Sequence, residues 1–299
     1  MEFAAYMARR YMRSRRHSRF LSRGGVTAIV GVSIGSLIGA LYAFNTDIRA
    51  LQEQLIEYVD SPSFQGHQNA LYGTRSGENG KRLPGFFWFG RIKDYLRANR
   101  AFHRVILKRS LLPGKVLEEI VSHLLPREDI ASSTIPLTVV AVDLMTGHRV
   151  VLEHGPLRRA VRGSSSLPGI FPPIRLDGKM LCDIGVFYAV PAKVARYYDP
   201  GFVIAVDVTM ELNDFDGGST ALDTMIRMQD IGGGLLREET ISAADTIIRP
   251  DVGDLEWLDF NRVRETIEKG RSAAREALPE LIRLYEQGAT RKLSPRTLV

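Results

Sequence analysis

The chain has 299 residues, of which 44% are hydrophobic, 25% charged and 8% aromatic. That balance belongs to a folded globular protein and excludes a disordered, collagen-like or disulfide-scaffold chain; the lone cysteine, Cys182, leaves no intramolecular disulfide and no cysteine-cluster metal site. The net charge of +6 is uneven: residues 1–23 carry seven arginines against Glu2, residues 81–110 carry nine cations against Asp94, and the rest of the body is acidic.

Two basic blocks on an acidic body point to an anionic surface as partner, or else to solvated basic helices. Residues 1–23 form a basic N-terminal segment with the arginine-rich, acid-poor character of an organelle presequence. Residues 26–44, VTAIVGVSIGSLIGALYAF, follow as 19 residues without a charge. Two readings compete there. The length, the positive flank and the four-residue spacing of Gly31, Gly35 and Gly39 suit a membrane-spanning helix. The β-branched opening (Val26, Thr27, Ile29, Val30, Val32) suits a buried strand over 27–32 that turns into a buried helix over 34–44. A helix is expected at 47–59. Residues 61–113, rich in Gly, Ser, Asn and Arg, then read as a long excursion or lid. Within it Phe86, Phe87, Trp88 and Phe89 lie in the second basic block. Aromatics among cations suit contact with a membrane interface, a core cluster being the plain alternative. No alternating aromatic-basic pattern suggests a nucleic-acid platform.

Farther along, helices are expected at 115–125, 191–197 and 258–286, and strands at 137–142, 149–152, 203–208 and 245–249. Gly232, Gly233 and Gly234 read as a flexible connection. Asp177 lies in a DGK hairpin turn, and Cys182 reads as a buried thiol. The alternation of short β-rich runs with helical patterns predicts an α/β domain on a largely parallel sheet.

Gly31-Val32-Ser33-Ile34-Gly35 matches G-x-S-x-G between the strand-like TAIVGV and the helix-like SLIGALYAF. A nucleophile elbow needs that context: the serine occupies a strained turn between strand and helix, and the flanking Gly31 and Gly35 keep side chains out of it. Ser33 then stands at a helix N-terminus, where the Ile34 N–H is the natural first oxyanion donor. The alternative is a tight glycine turn without chemistry. A serine nucleophile also needs a base. None of the six histidines (His17, His67, His103, His123, His148, His154) follows residue 154. The order serine, acid, histidine therefore leaves Asp143 with His148 as the best pairing, five residues apart in what reads as a hairpin. The other option is a base that is not histidine.

Four blocks, in order, resemble the patatin-like phospholipases, serine lipid acyl hydrolases with a Ser-Asp dyad. They are GVSIGSLIGALYA at 31–43, VDLMTG at 142–147, SSSLPGIFPP at 164–173 and LDGKMLCDIGVFYAVPAKVAR at 176–196, with a weaker likeness through 244–260. The resemblance implies a patatin-like three-layer α/β fold whose largely parallel central sheet is flanked by helices. It implies a catalytic domain over 24–197, with 61–113 as its excursion or lid and 198–299 completing the same domain. It also implies Ser33 as nucleophile and Asp183 as the group that takes its proton, with Gly185 in the turn that follows; on spacing alone Asp183 reads as a turn aspartate before Gly185. The implied substrate is a lipid acyl ester, cleaved without cofactor or metal by a cytoplasmic protein in peripheral contact with a membrane. Nucleic acid is not an expected partner, and the oligomeric state is open.

Two departures from the family stand out. Members carry a glycine-rich loop ahead of the serine block whose N–H groups form the oxyanion hole; here only Gly24 and Gly25 precede Gly31, too close to Ser33 to supply that turn. An oxyanion donor is worth about 3–4 kcal/mol of transition-state stabilisation. Three explanations compete: a truncated or mis-started reading frame, replacement of the loop by Gly232–Gly234, or a catalytically impaired lipid-binding relative. The second departure is Ile184, where the family has glycine. A β-branched residue resists positive φ, so the turn holding Asp183 is expected to differ.

Overall fold

The structure, a computed structural model, describes residues 28–66, 110, 112–198, 200–209, 221–253, 255 and 260–293. The basic segment 1–23, Gly24, Gly25 and the aromatic run Phe86, Phe87, Trp88, Phe89 lie outside the described residues.

Strands β1 (Ile29–Val32) and β2 (Leu137–Asp143) pair in parallel, from Ile29 opposite Leu137 to Val32 opposite Val140. Nearly all of β2, LTVVAVD, is buried, as a continuous apolar run covered on both faces should be. The crossover between them contains α1 (Ile34–Phe44), α2 (Ile48–Asp60) and α3 (Gly114–Leu124). The charge-free stretch 26–44 is therefore no membrane span: it holds a strand, a turn at Ser33 and a helix of 11 residues. Among the described residues no helix is long and apolar enough to cross a membrane. Its glycine spacing instead serves close approach of α1 to β1, since a Cβ on Gly39 would lie 2.8 Å from Ile29 Cγ2.

β3 (Arg149–Leu152) returns antiparallel along one edge of β2, with Val139 opposite Leu152 and Val142 opposite Arg149. The other edge is shared. β1 occupies it as far as Val140, and β5 (Lys179–Cys182) then enters antiparallel, placing Cys182 opposite Val142. β4 (Ile174–Leu176) joins β5 through a hairpin with φ 47° at Asp177 and 77° at Gly178, as the DGK sequence suggests. Parallel pairing thus joins β1 to β2 and, later, β6 (Ile204–Val206) to β7 (Thr246–Ile248), while the pairs made by β3, β4 and β5 are antiparallel.

Alternate residues of β2 serve two faces. Leu137, Val139 and Ala141 join a core with Leu37 and Leu41 of α1, Val121 of α3, and Leu157 and Val161 of α4 (Leu157–Ser164). Val140 packs on the other side with Val32, Tyr188 and Val194 of α5 (Ala192–Arg196). Helices therefore cover the sheet on both sides, giving three α/β layers.

The 21-residue helix α6 (Ala221–Ile241) runs straight through Gly232–Gly234, which is neither a flexible connection nor a substitute oxyanion loop. Tertiary packing overrides poor helix formers here. A Cβ on Gly233 would lie 2.8 Å from the Val186 carbonyl oxygen, so glycine lets α6 seat against the turn that follows β5. Arg237 fixes the helix to Asp207 beyond β6, Nη2 to Oδ2 at 2.5 Å, and Arg249 Nε donates to the same oxygen at 3.1 Å. Burial pushes the Asp207 carboxyl up, but hydrogen bonds from Arg237 and Thr209 outweigh it and hold the group below the usual carboxylate range. α7 (Val263–Leu293) is the last described helix.

Replacing glycine by alanine in a helix ordinarily stabilises by ~0.5–1 kcal/mol. Gly232→Ala, with nothing within 4 Å of the added carbon, should show that gain, whereas Gly233→Ala, pressed on Val186, should destabilise. Chemical denaturation of both variants decides it, and equal gains at the two positions would rule out the packing account.

Candidate active site

Where β1 stops, the chain turns at Ser33 with φ 54° and ψ −135°. A non-glycine residue held there is strained by about 1–3 kcal/mol. The turn is tight: a Cβ on Gly31 would lie 2.6 Å from Ser36 Cα and 2.7 Å from the Gly35 oxygen, so glycine is required at 31. Gly35 is not required on steric grounds, because a Cβ there meets nothing within 4 Å; the motif's two flanking glycines reduce to one with a packing role. Ser33 occupies the N-cap position of α1, yet its side chain caps nothing. Its Oγ donates instead to Asp183 Oδ2 at 2.5 Å. No described residue accepts from the Ile34 N–H, the first of the helix.

Asp183 directly follows β5 and is only 3% exposed. While Oδ2 takes the serine hydroxyl, Oδ1 accepts from the Gly185 N–H at 2.6 Å. Burial pushes this carboxyl up to about 6, against the pull of those two hydrogen bonds. Gly185 leaves room for the pair, since a Cβ there would lie 2.9 Å from Asp183 Oδ1 and 3.3 Å from Ser33 Cβ. Ile184 does not disturb the turn. Among the described non-glycine residues only Ser33 and Asp177 have positive φ, so position 184 demands nothing that a β-branched residue resists. Its side chain packs against the cluster of Val32, Val140, Tyr188 and Val194. Cys182 is the buried thiol expected, pushed up to about 11 chiefly by that burial.

The main chain at the site is gripped by three consecutive serines to which the sequence assigned no role. Ser164 Oγ accepts from the Ser33 N–H at 3.0 Å and donates to the Val140 carbonyl at 2.6 Å. The Ser33 carbonyl accepts from Ser165 Oγ at 3.0 Å and from Ser36 Oγ at 2.6 Å. The Ser166 carbonyl accepts from the Asp183 N–H at 3.0 Å. The sequence signal that pointed to them was their place at the start of the SSSLPGIFPP block, at the end of α4.

The pairing of Asp143 with His148 is excluded as a relay. Asp143 is committed to its own turn and to β5: Oδ1 accepts from the Met180 N–H at 2.9 Å and the Met145 N–H at 3.1 Å, and Oδ2 accepts from the Thr146 hydroxyl at 2.9 Å. These bonds, led by Met180, hold its carboxyl below the usual range. His148 meets it only through the main chain, accepting from the Asp143 N–H at 2.9 Å. Among the described residues no histidine is hydrogen-bonded to Ser33. The acid beside a serine hydroxyl at a helix N-terminus is instead a carboxylate able to act as general base, with a dipole facing developing negative charge.

The chain belongs to the patatin-like phospholipase family, whose sequence profile matches residues 20–196, more than half of its length. It is 29% identical over 171 residues to an uncharacterized NTE family protein of Mycobacterium tuberculosis, covering 48% of this chain and 29% of that protein. It is 25% identical over 284 residues to a patatin-like phospholipase domain-containing protein of Caenorhabditis elegans, covering 86% of this chain and 19% of that protein. Patatin-like phospholipase domain-containing protein 6 of Mus musculus is 27% identical over 235 residues, covering 77% of this chain and 14% of the mouse protein. The chain spans under a third of the length of each of these three relatives.

The raised Asp183 carboxyl has a consequence for stability. Its folded value of about 6 exceeds the ordinary 3.8, so the folded state binds the proton more tightly, and stability from this group falls as pH rises between those values. The loss amounts to roughly 3 kcal/mol at neutral pH. Asp183→Asn keeps the size and an acceptor for the Gly185 N–H, and should therefore be more stable than the parent at about pH 8, the difference vanishing by about pH 4. Denaturation curves at the two pH values test this; a difference independent of pH would exclude burial of the charge as its cause.

Proposed function

We propose that this protein hydrolyses acyl esters of lipids through Ser33 and Asp183. The observation that carries the reading is the 2.5 Å hydrogen bond from Ser33 Oγ to a buried carboxylate at the start of α1, in a chain of the patatin-like phospholipase family. Above a pH of about 6 Asp183 is ionised and takes the Ser33 proton as Oγ attacks the acyl carbonyl carbon. The carbonyl electron pair moves to oxygen, and the oxyanion forms against the Ile34 N–H and the positive end of α1. The bond to the leaving alcohol then breaks as Asp183 returns the proton to it, leaving an acyl ester on Ser33. Water repeats the cycle: Asp183 takes one of its protons, its oxygen adds to the acyl carbon, and Ser33 departs with the proton as the fatty acid is released.

Ile34 on the elbow and Phe187 on the Asp183 turn are 55% and 46% exposed, and supply apolar surface for an acyl chain. The names of the nematode and mouse relatives support a phospholipid ester as substrate. Phe86, Phe87, Trp88 and Phe89 within the basic block 81–110 suit peripheral contact with an anionic membrane from the cytoplasmic side.

Ser33→Ala and Asp183→Ala should each lower hydrolysis of a short-chain chromogenic ester, and fatty-acid release from phospholipid vesicles, by ~10³-fold or more. A fluorophosphonate should label Ser33 stoichiometrically. Full turnover in either variant, or an unlabelled Ser33, would overturn the dyad, the latter in favour of a lipid-binding relative without turnover. Because the base must be ionised, kcat/KM should fall about tenfold per pH unit below a pH of about 6. A profile flat from about pH 4 to about pH 8 would remove Asp183 from the role of base.

A further inference from the structure

We infer that Ser164 and Ser165 are positioning residues that clamp the Ser33 peptide from both sides and so aim its hydroxyl at Asp183, an inference that rests on the hydrolase reading above. The starting point is conformational. Ser33 sits at φ 54° and ψ −135°, a conformation that persists only where the surroundings over-determine it. Gly31 makes the turn sterically possible, but permission alone does not select one geometry.

The selection comes from hydrogen bonds of opposite sense on the two flanks of one residue. The Ser33 N–H donates to Ser164 Oγ, and that hydroxyl passes its own hydrogen to the Val140 carbonyl on β2. Ser164 is fully buried, so its hydroxyl is shielded from water and ties the elbow to the central strand. The Ser33 carbonyl takes a hydrogen from Ser165 Oγ, with the Ser36 N–H and Ser36 Oγ as further donors from within α1. The next residue of the same run, Ser166, accepts the Asp183 N–H on its carbonyl. One tripeptide at the end of α4 thus touches the main chain of both members of the pair, and its length sets their separation.

α4 itself cannot drift. A Cβ on Gly163 would lie 2.9 Å from Leu181 Cβ, so the helix end is seated directly on β5, the strand that delivers Asp183. Seen from Ser33, the clamp refers the hydroxyl to β2 and β5 together. Misplacing a reacting group by about 1 Å can cost ~10²-fold in rate without weakening binding.

The test uses Ser164→Ala, Ser165→Ala and Ser164→Thr in the full chain, with Ser33→Ala as reference, assayed on a chromogenic ester and by the rate of fluorophosphonate labelling. Ser164→Ala should lower kcat by about 10–100-fold and Ser165→Ala by about 3–10-fold, with KM changed less than about twofold. Ser164→Thr, which keeps a hydroxyl, should recover part of the loss. The acid limb of the kcat/KM profile should move to higher pH in Ser164→Ala, because a hydroxyl that drifts from Asp183 no longer lowers its pKa. A role confined to stability would lower the melting temperature and leave that limb in place. Ser165 is half-buried, and its variant carries the test should Ser164→Ala fail to fold. Parental kcat and an unmoved acid limb in folded Ser164→Ala or Ser165→Ala, with Ser33→Ala inactive, would overturn the clamp alone. Full turnover in Ser33→Ala would instead overturn the hydrolase reading and the clamp with it.

Discussion

The site depends on one edge of one strand. Along β2, Val139 and Val140 pair with β1, whereas Val142 and Asp143 pair with β5. The opposite edge from Val139 to Val142 is filled by β3, so β1 and β5 must lie on the same side. They run in opposite directions and meet head to head, separated by the single residue Ala141. The chain leaving β1 after Val32 is Ser33, and the chain leaving β5 after Cys182 is Asp183. Register alone brings both to the level of Ala141, which is why residues 150 apart in sequence share a 2.5 Å hydrogen bond.

The arrangement opposes stability at two points. Ser33 is held in strained backbone, and Asp183 carries a charge in a place from which water is excluded. Both are offset by groups already committed to the fold: the β2 carbonyl of Val140 through Ser164, the Gly185 N–H, and the packed apolar layer of Val32, Val140, Ile184, Tyr188 and Val194 beneath the turn. Strain and desolvation thus fall on two side chains that are hydrogen-bonded to each other.

Distant sequence also reaches this turn. α6 lies 35 residues or more beyond Asp183, yet Gly233 seats it on the Val186 carbonyl, and Arg237 anchors the same helix to Asp207. Three glycines in a row weaken an isolated helix by about 1 kcal/mol each relative to alanine. Here closeness to the turn outweighs propensity, which is why the run reads locally as a connection and stands in the structure as helix.

Much of the architecture is nevertheless written locally. The β-branched run before Ser33, the apolar run of β2 and the helical patterns of α1, α2 and α3 each determine their element within a few residues, because burial on one or both faces imposes a pattern that the order of residues reveals. The DGK hairpin and the elbow motif are equally local, since each answers to the φ values of a few consecutive residues. Asp183 is different: by spacing it is a turn aspartate before glycine, and only the resemblance to a family singled it out. Its environment is made by β5 meeting β1, by Gly185, and by a serine run on a separate helix, none of which leaves a periodic trace around position 183. The sequence by itself determined β1, β2, β3, β6 and β7, the helices α1, α2, α3, α5 and α7, and the strained turn at Ser33, through short-range sterics and burial patterns, but left α4 and α6 unmarked. Only the tertiary structure decided which carboxylate meets that serine and which glycine it can dispense with, because strand register and close approach are relations between segments that no local pattern encodes.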